Sequence, residues 1–228
     1  MTNTGKGPGI FGQFDDIRII NLRSRTDRRA QMLAEIRRLR IDEHPSLAFF
    51  DAIARTDRGP FLKTGSHGAF DSYTTLLEEA AQSGRSILIL QDDCRFLKSV
   101  DDPVDLSDVD IFYGGWTAID KGPVEQSGIV GAHCMGFSAK AAALCHSYLR
   151  DYKSPSFAVD PIALAEPGFD PAIRPPIDGA LVWFRRAHPA LRTRFHKIST
   201  QRSSPSSISP RSSLSIRLSS LAKRLIRV

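Results

Sequence analysis

No stretch of this 228-residue chain approaches the ~18–20 consecutive apolar residues of a membrane-spanning helix. Residues 1–16 are glycine-rich and polar, without the apolar stretch and small-residue cleavage site of a secretory leader, so none is expected. Cysteine is scarce. Cys94, Cys134 and Cys145 are widely spaced, odd in number and form no C-x-x-C, which argues against a disulfide framework or zinc ribbon and suits free thiols in a reducing cytosol. Acid is missing from residues 196–228, which carry Lys197, Arg202, Arg211, Arg217, Lys223, Arg224 and Arg227. The formal charge of +6 therefore belongs to the tail, and residues 1–195 hold 24 basic against 25 acidic side chains. A nearly neutral globular part lacks the basic stripe of a nucleic-acid enzyme, and no nucleic-acid partner is expected.

What is present suits one α/β domain, since 41% apolar residues supply a core of that size. Strands are predicted at 17–22, 47–50 and 87–90, with helices between them at 27–40, capped by Ser24 or Thr26, and at 67–82, capped by Ser66. That alternation predicts a mostly parallel central sheet. Further strands are predicted at 109–114, 132–138 and 180–184, with a helix capped by Ser138 at 139–149 and a short one at 160–165. The organisation that results is a flexible lead-in over 1–16, a domain over 17–198, a Ser/Pro/Arg-rich linker over 199–212 and a helix over 213–228. In that last segment Leu214, Leu218, Leu221, Leu225 and Val228 are spaced four, three, four and three apart, drawing one apolar stripe on a basic helix. Such a helix lies on an anionic membrane surface, or packs on its own core or on a partner.

The apolar run from Ile87 to Leu90 ends in Gln91, Asp92 and Asp93. Ligands of open α/β sheets bind at strand carboxyl ends, and hard cations take oxygen ligands shared with phosphates, so the acids suit a Mn²⁺ or Mg²⁺ site. The same pair would also open a turn or cap a helix. At the end of the first strand, Asn21, Leu22, Arg23 and Arg28 could face a nucleotide, because guanidinium forks match phosphate oxygens. Solvated charges at a helix start are the plainer reading of that block.

These segments occur in a set order: I-I-N-L-R-S-R-T-D-R-R, then Gly65-Ser66-His67, then I-L-I-L-Q-D-D, then G-A-H-C-M-G-F-S-A-K-A-A, and then Ile177-Asp178-Gly179. From about residue 17 to 208 the chain resembles the family 25 glycosyltransferases, the lipopolysaccharide galactosyl- and glucosyltransferases related to collagen galactosyltransferases. The resemblance implies a GT-A-like (Rossmann-like) fold, a nucleotide-sugar donor that is usually UDP-linked, a divalent metal such as Mn²⁺, and inversion at the anomeric carbon. It implies Asp93, with Asp92, as metal ligands, and donor contacts from Asn21, Leu22, Arg23, Arg28, His67, Gln91, Asp92 and His133. Gln91 departs from the family's usual Glu. A neutral amide can bond a ribose hydroxyl but brings no charge to the metal. The Gly-Cys that commonly precedes the family's Ser-His is not evident here either.

Glycosyl transfer needs a carboxylate to take the acceptor's proton and a site that keeps water out. Asp178, in a Pro-Pro-Ile-Asp-Gly turn, is the first choice of base, Asp160 the second and Asp110 the third, and each is also a plausible turn residue. Gly114-Gly115-Trp116 could bring backbone and an indole face to a sugar, or form a packed turn. The expectation is a cytoplasmic enzyme, peripheral on the inner face of the membrane, acting on a glycan or glycolipid acceptor. The alternatives are a GT-A domain that binds glycan or a partner without turnover, and a metal-dependent phosphohydrolase or nucleotidyltransferase.

Overall fold

The computed structural model describes residues 9–202. The predicted helix over 213–228 lies outside the described residues, as do residues 1–8. In chain order the elements are β1 Asp16–Asn21, α1 Thr26–Arg38, β2 Leu47–Asp51, α2 Thr64–Ser83, β3 Ile87–Gln91, β4 Cys94–Phe96, β5 Ile111–Ala118, β6 Ile129–Phe137, α3 Ala139–Tyr152, α4 Pro161–Leu164, α5 Ile177–Ala187, β7 Thr193–Phe195 and β8 Ser199–Gln201. Six strands form the central sheet in the order β2-β1-β3-β6-β5-β7, and β4 pairs with β8 in a second, two-stranded sheet. β1 is parallel to β2 and β3, and β5 to β7, while β6 runs antiparallel to both of its neighbours. The fold is α/β with a mostly parallel sheet, as the alternation of elements predicts.

β3 lies inside the sheet, and burial on both faces explains its unbroken apolar run. Ile87 and Ile89 face a core shared with Phe70, Leu76 and Leu77 of α2, Ala141 and Leu149 of α3, and Leu181 and Phe184 of α5. Leu88 and Leu90 face the other core, with Met32 and Ile36 of α1 and with Ile10, Phe11, Phe14, Phe96 and Ile198. Ile10, Phe11 and Phe14 are buried, so the lead-in is part of the fold from there onward. Ser199–Gln201 is likewise a paired strand and not linker.

Two further expectations need correcting. The segment 180–184 is not a strand: Ile177, Ala180, Leu181 and Phe184, spaced three, one and three apart, form the buried stripe of α5. A short apolar run does not by itself distinguish a strand from a buried helix. Ser66 does not cap α2, which begins at Thr64 after the extended Lys63 with no side-chain cap. Ser138 does cap α3, its Oγ accepting from the Ala141 N–H at 3.1 Å.

β5 is longer than predicted and carries the two glycines mid-strand, with shifts of register against β6. A Cβ on Gly114 would lie 2.4 Å from Cys134 Sγ, and one on Gly115 2.0 Å from His133 Nε2. These glycines make room for β6 side chains, not for a sugar. Trp116 packs edge-on against Phe195, with Lys197 over its ring.

Gly68 of α2 faces the backbone that follows β2, and a Cβ there would lie 2.3 Å from the Ile53 carbonyl oxygen. A backbone oxygen cannot swing aside as a side chain can. Gly68→Ala is expected to cost about 1–3 kcal/mol of stability, read as a lower denaturation midpoint at unchanged slope.

Candidate functional site

β1, β2 and β3 all end at one edge of the sheet, with α1 returning over one face and α2 over the other. A crevice opens where such connections part. Here it is a cleft of about 300 Å³, lined by Ile20 of β1 and Leu22 after it, Arg28 of α1, Ala52–Arg55 after β2, Thr64, Gly65, Gly68 and Ala69 of α2, Gln91 of β3 with Asp92 and Asp93 after it, and Gln201 of β8. A second cleft of about 180 Å³ adjoins it, lined by Ser66, Val130, Gly131, Ala132, Pro176, Ile177 and Asp178, and sharing Ala69, Gln91 and Gln201 with the first.

Asp92 is the best-anchored group at the edge. Arg28 Nη1 donates to Asp92 Oδ1 at 2.8 Å, and Asn21 Nδ2 donates to Oδ2 at 2.7 Å. All three residues are buried. Arg28 also reaches Asp93 Oδ2, at 3.5 Å. Asp93 Oδ1 is buried without a hydrogen-bond partner, and burial raises this carboxyl above its ordinary pKa while the Arg28 charge opposes the rise.

No three His, Cys, Asp or Glu side chains gather to hold a metal by themselves among the described residues. The partnerless Asp93 oxygen nonetheless fits one ligand of a cation that takes its remaining ligands from substrate phosphates and water, as Mg²⁺ does. The first turn of α2 also faces the cleft and favours an anion there, and Arg55 lines it. Arg55 Nε is tied to the buried Asp71 at 2.6 Å, and Asp71 also holds Lys153 at 2.8 Å.

The residues implied by the family resemblance divide into three groups. Leu22, Arg28, Gln91, Asp92 and Asp93 line the first cleft. Asn21 lies beneath it, orienting Asp92, while Arg23 stands out in solvent paired with Asp51 at 2.5 Å. His67 and His133 line neither cleft. His67 is held between Asp57 Oδ1, at 3.1 Å from Nδ1, and Asp71 Oδ2, at 3.4 Å from Nε2. His133 is buried with neither ring nitrogen hydrogen-bonded, and burial lowers its pKa to about 4.

The three candidate bases also part company. Asp178 lines the second cleft from the first turn of α5, its Oδ2 accepting from the Gly131 N–H at 3.1 Å and its Oδ1 from the Gly179 N–H at 3.0 Å. Burial raises its pKa, the two backbone donors opposing the rise. Asp160 lines neither cleft. It caps α4 through the Ile162 and Ala163 N–H groups and pairs with Arg186 at 3.1 Å. Asp110 precedes β5 and binds Ser138 Oγ and the Arg192 N–H. Sequence reasoning misses Arg55 and Gln201. Arg55 sits in an unpatterned charged loop, and Gln201 in a segment that reads as linker.

The fold and edge thus define an α/β protein with paired clefts at the carboxyl end of a mostly parallel sheet, one holding an acid pair and the other a half-buried acid. No family model and no curated protein matches the chain. Among solved structures it is similar to the crystal structure of a glycosyltransferase involved in the glycosylation of the major capsid of PBCV-1, at 11% identity over 82% of this chain and 93% of that one, with a TM-score of 0.47. A likeness at that level transfers no activity.

His133 gives a pH test. Its folded pKa of about 4 lies below the ordinary 6.5, so its contribution to stability is complete above pH 6.5 and is lost as pH falls towards 4. The loss amounts to about 3 kcal/mol. In denaturant titrations across that window, His133→Gln is expected to show a correspondingly shallower fall than the parent chain.

Proposed function

We propose that this chain is an inverting glycosyltransferase. It moves a hexose, galactose or glucose, from a nucleotide diphosphate sugar, UDP-linked, to a glycan or glycolipid acceptor such as lipopolysaccharide core. The observation that carries this reading is that the cleft with Asp92 and Asp93 and the cleft with Asp178 share Ala69, Gln91 and Gln201. An inverting displacement needs a leaving diphosphate on one side of the reacting carbon and a base on the other. Two joined clefts with separate acids meet that need.

In the proposed reaction the acceptor hydroxyl gives its proton to Asp178 as its oxygen attacks the anomeric carbon, and the bond from that carbon to the diphosphate breaks. The raised pKa of Asp178 makes it a better proton acceptor than an ordinary carboxylate. Arg28 and Asn21 hold Asp92 in place, Arg55 and the first turn of α2 face the diphosphate, and Ile20, Leu22, Ala52 and Ile53 give the donor cleft a water-excluding wall. Mn²⁺ or Mg²⁺, held at Asp93 with Asp92 behind it, would supply neutralising charge to the diphosphate.

The test is donor binding by calorimetry together with diphosphate release, using UDP and GDP sugars with Mn²⁺. Asp93→Ala is expected to lose metal-dependent donor binding. Asp178→Asn should keep it while release falls by roughly 10²–10⁴-fold. In the parent enzyme the rate should climb with pH through a pKa above 3.8, because Asp178 works only when deprotonated. Binding without release under any acceptor would indicate a binding module. Cleavage of nucleotides that carry no sugar would indicate a phosphohydrolase or nucleotidyltransferase.

Among the described residues no helix is long and apolar enough to cross a membrane. Residues 203–228 follow directly on Arg202, whose backbone N–H donates to the Asp93 carbonyl at 2.8 Å. A membrane-bound acceptor is therefore part of the proposal, with residues 213–228 resting on the anionic inner face. Full chain is expected to float with anionic liposomes and a chain ending at Arg202 to remain behind. Equal flotation would remove the anchor.

A further inference from the structure

The place where the two clefts meet is lined by the small side chain of Ala69 and by two amides, Gln91 at the end of β3 and Gln201 at the end of β8. Among the described residues neither amide is engaged in a hydrogen bond within the fold. Gln201 is exposed, yet its backbone is fixed on both sides. Register pairs it with Cys94, and the next N–H, of Arg202, donates to the Asp93 carbonyl at 2.8 Å. Two residues earlier, Ser199 Oγ donates to the Gly114 carbonyl at 3.1 Å. A side chain with free donors and an acceptor is thus carried on backbone clamped to the acid pair. The second cleft, beyond the amides, contains no basic side chain, and Asp178 is its one ionisable group.

Resting on the proposed donor chemistry, we infer that Gln201 is a specificity-determining residue that reads the hydroxyls of the transferred sugar. An amide can donate to one hydroxyl and accept from its neighbour. The same lining turns away sugar acids. A uronate carboxylate placed here would lie near the half-buried Asp178 with no basic side chain of that cleft to offset it, and like charges held close in a poorly solvated site are costly.

The inference is tested by calorimetry on the full chain with Mn²⁺, using UDP, UDP-glucose, UDP-galactose and UDP-glucuronate, on the parent, Gln201→Ala and Gln201→Arg. The parent should bind a UDP-hexose more tightly than UDP, and UDP-glucuronate more weakly than the hexose donors. Gln201→Ala should leave UDP affinity within about twofold and weaken the hexose donor by roughly three- to tenfold, the worth of one or two neutral hydrogen bonds. Gln201→Arg should strengthen UDP-glucuronate relative to the hexose donors. Hexose-donor binding unchanged in Gln201→Ala, or no gain for UDP-glucuronate in Gln201→Arg, overturns the role of Gln201 while the nucleotide site stands. A parent chain that binds neither UDP nor any UDP sugar overturns the donor reading itself, and this one with it. Because Gln201 is exposed, unchanged melting temperatures are expected and separate a lost contact from a lost fold.

Discussion

Arg28 donates to Asp92 at 2.8 Å in a place where neither side chain has more than a tenth of its surface open to water. Burying two charges costs several kcal/mol per ion unless geometry and extra hydrogen bonds compensate. Asn21 provides the extra bond, so the pair persists as a triad drawn from β1, α1 and the end of β3. That triad ties the first turn of α1 to the two adjacent strands and thereby fixes the floor of the larger cleft. It also divides the work of the two acids. Asp92 has both oxygens committed to the protein, and Asp93 keeps one without a partner.

The second cleft depends on one reversed strand. β6 runs against β3 and β5, so its first residues, Ile129–Ala132, reach the same edge as the carboxyl ends of β1 and β3. Were β6 parallel, its far end near Phe137 would stand there, and the Gly131 N–H that meets Asp178 would lie at the opposite edge. The left-handed backbone at Gly131 (φ 107°) turns that N–H where α5 begins, which suits glycine because other residues rarely adopt such angles. Sheet direction thus places Asp178 in the cleft that adjoins the acid pair, although it follows Gln91 by many residues in sequence.

The alternation of apolar runs made the sheet legible, because buried strands and amphipathic helices have distinct periods. β3, α3 and the cap at Ser138 were legible for that reason. α5 is not legible in the same way, because a five-residue apolar window contains too little of the helical period. β4, β7 and β8 were invisible, since three-residue strands such as Thr193–Phe195 take their order from tertiary pairing and not from pattern. At the site, Gln91, Asp92, Asp93 and Asp178 could be picked out because acids at strand ends and in Pro/Gly turns are conspicuous. Asn21 and His133 could not be sorted from cleft residues by type, since a polar side chain can serve the fold as readily as a ligand. Gln201 offers no signal, because its place at the clefts follows from where β8 returns.

Gln91 fits this arrangement better than an acid would. The larger cleft sets Arg28 against both Asp92 and Asp93, while Arg55 is paired with Asp71 behind it. A third carboxylate at position 91 would face both clefts and would add repulsion to Asp93 and Asp178, whose pKa values burial already raises. The amide removes that repulsion, and Asp93 keeps one carboxylate oxygen without a partner. The consequence is that a neutral amide, and not a third charge, stands where the two clefts meet.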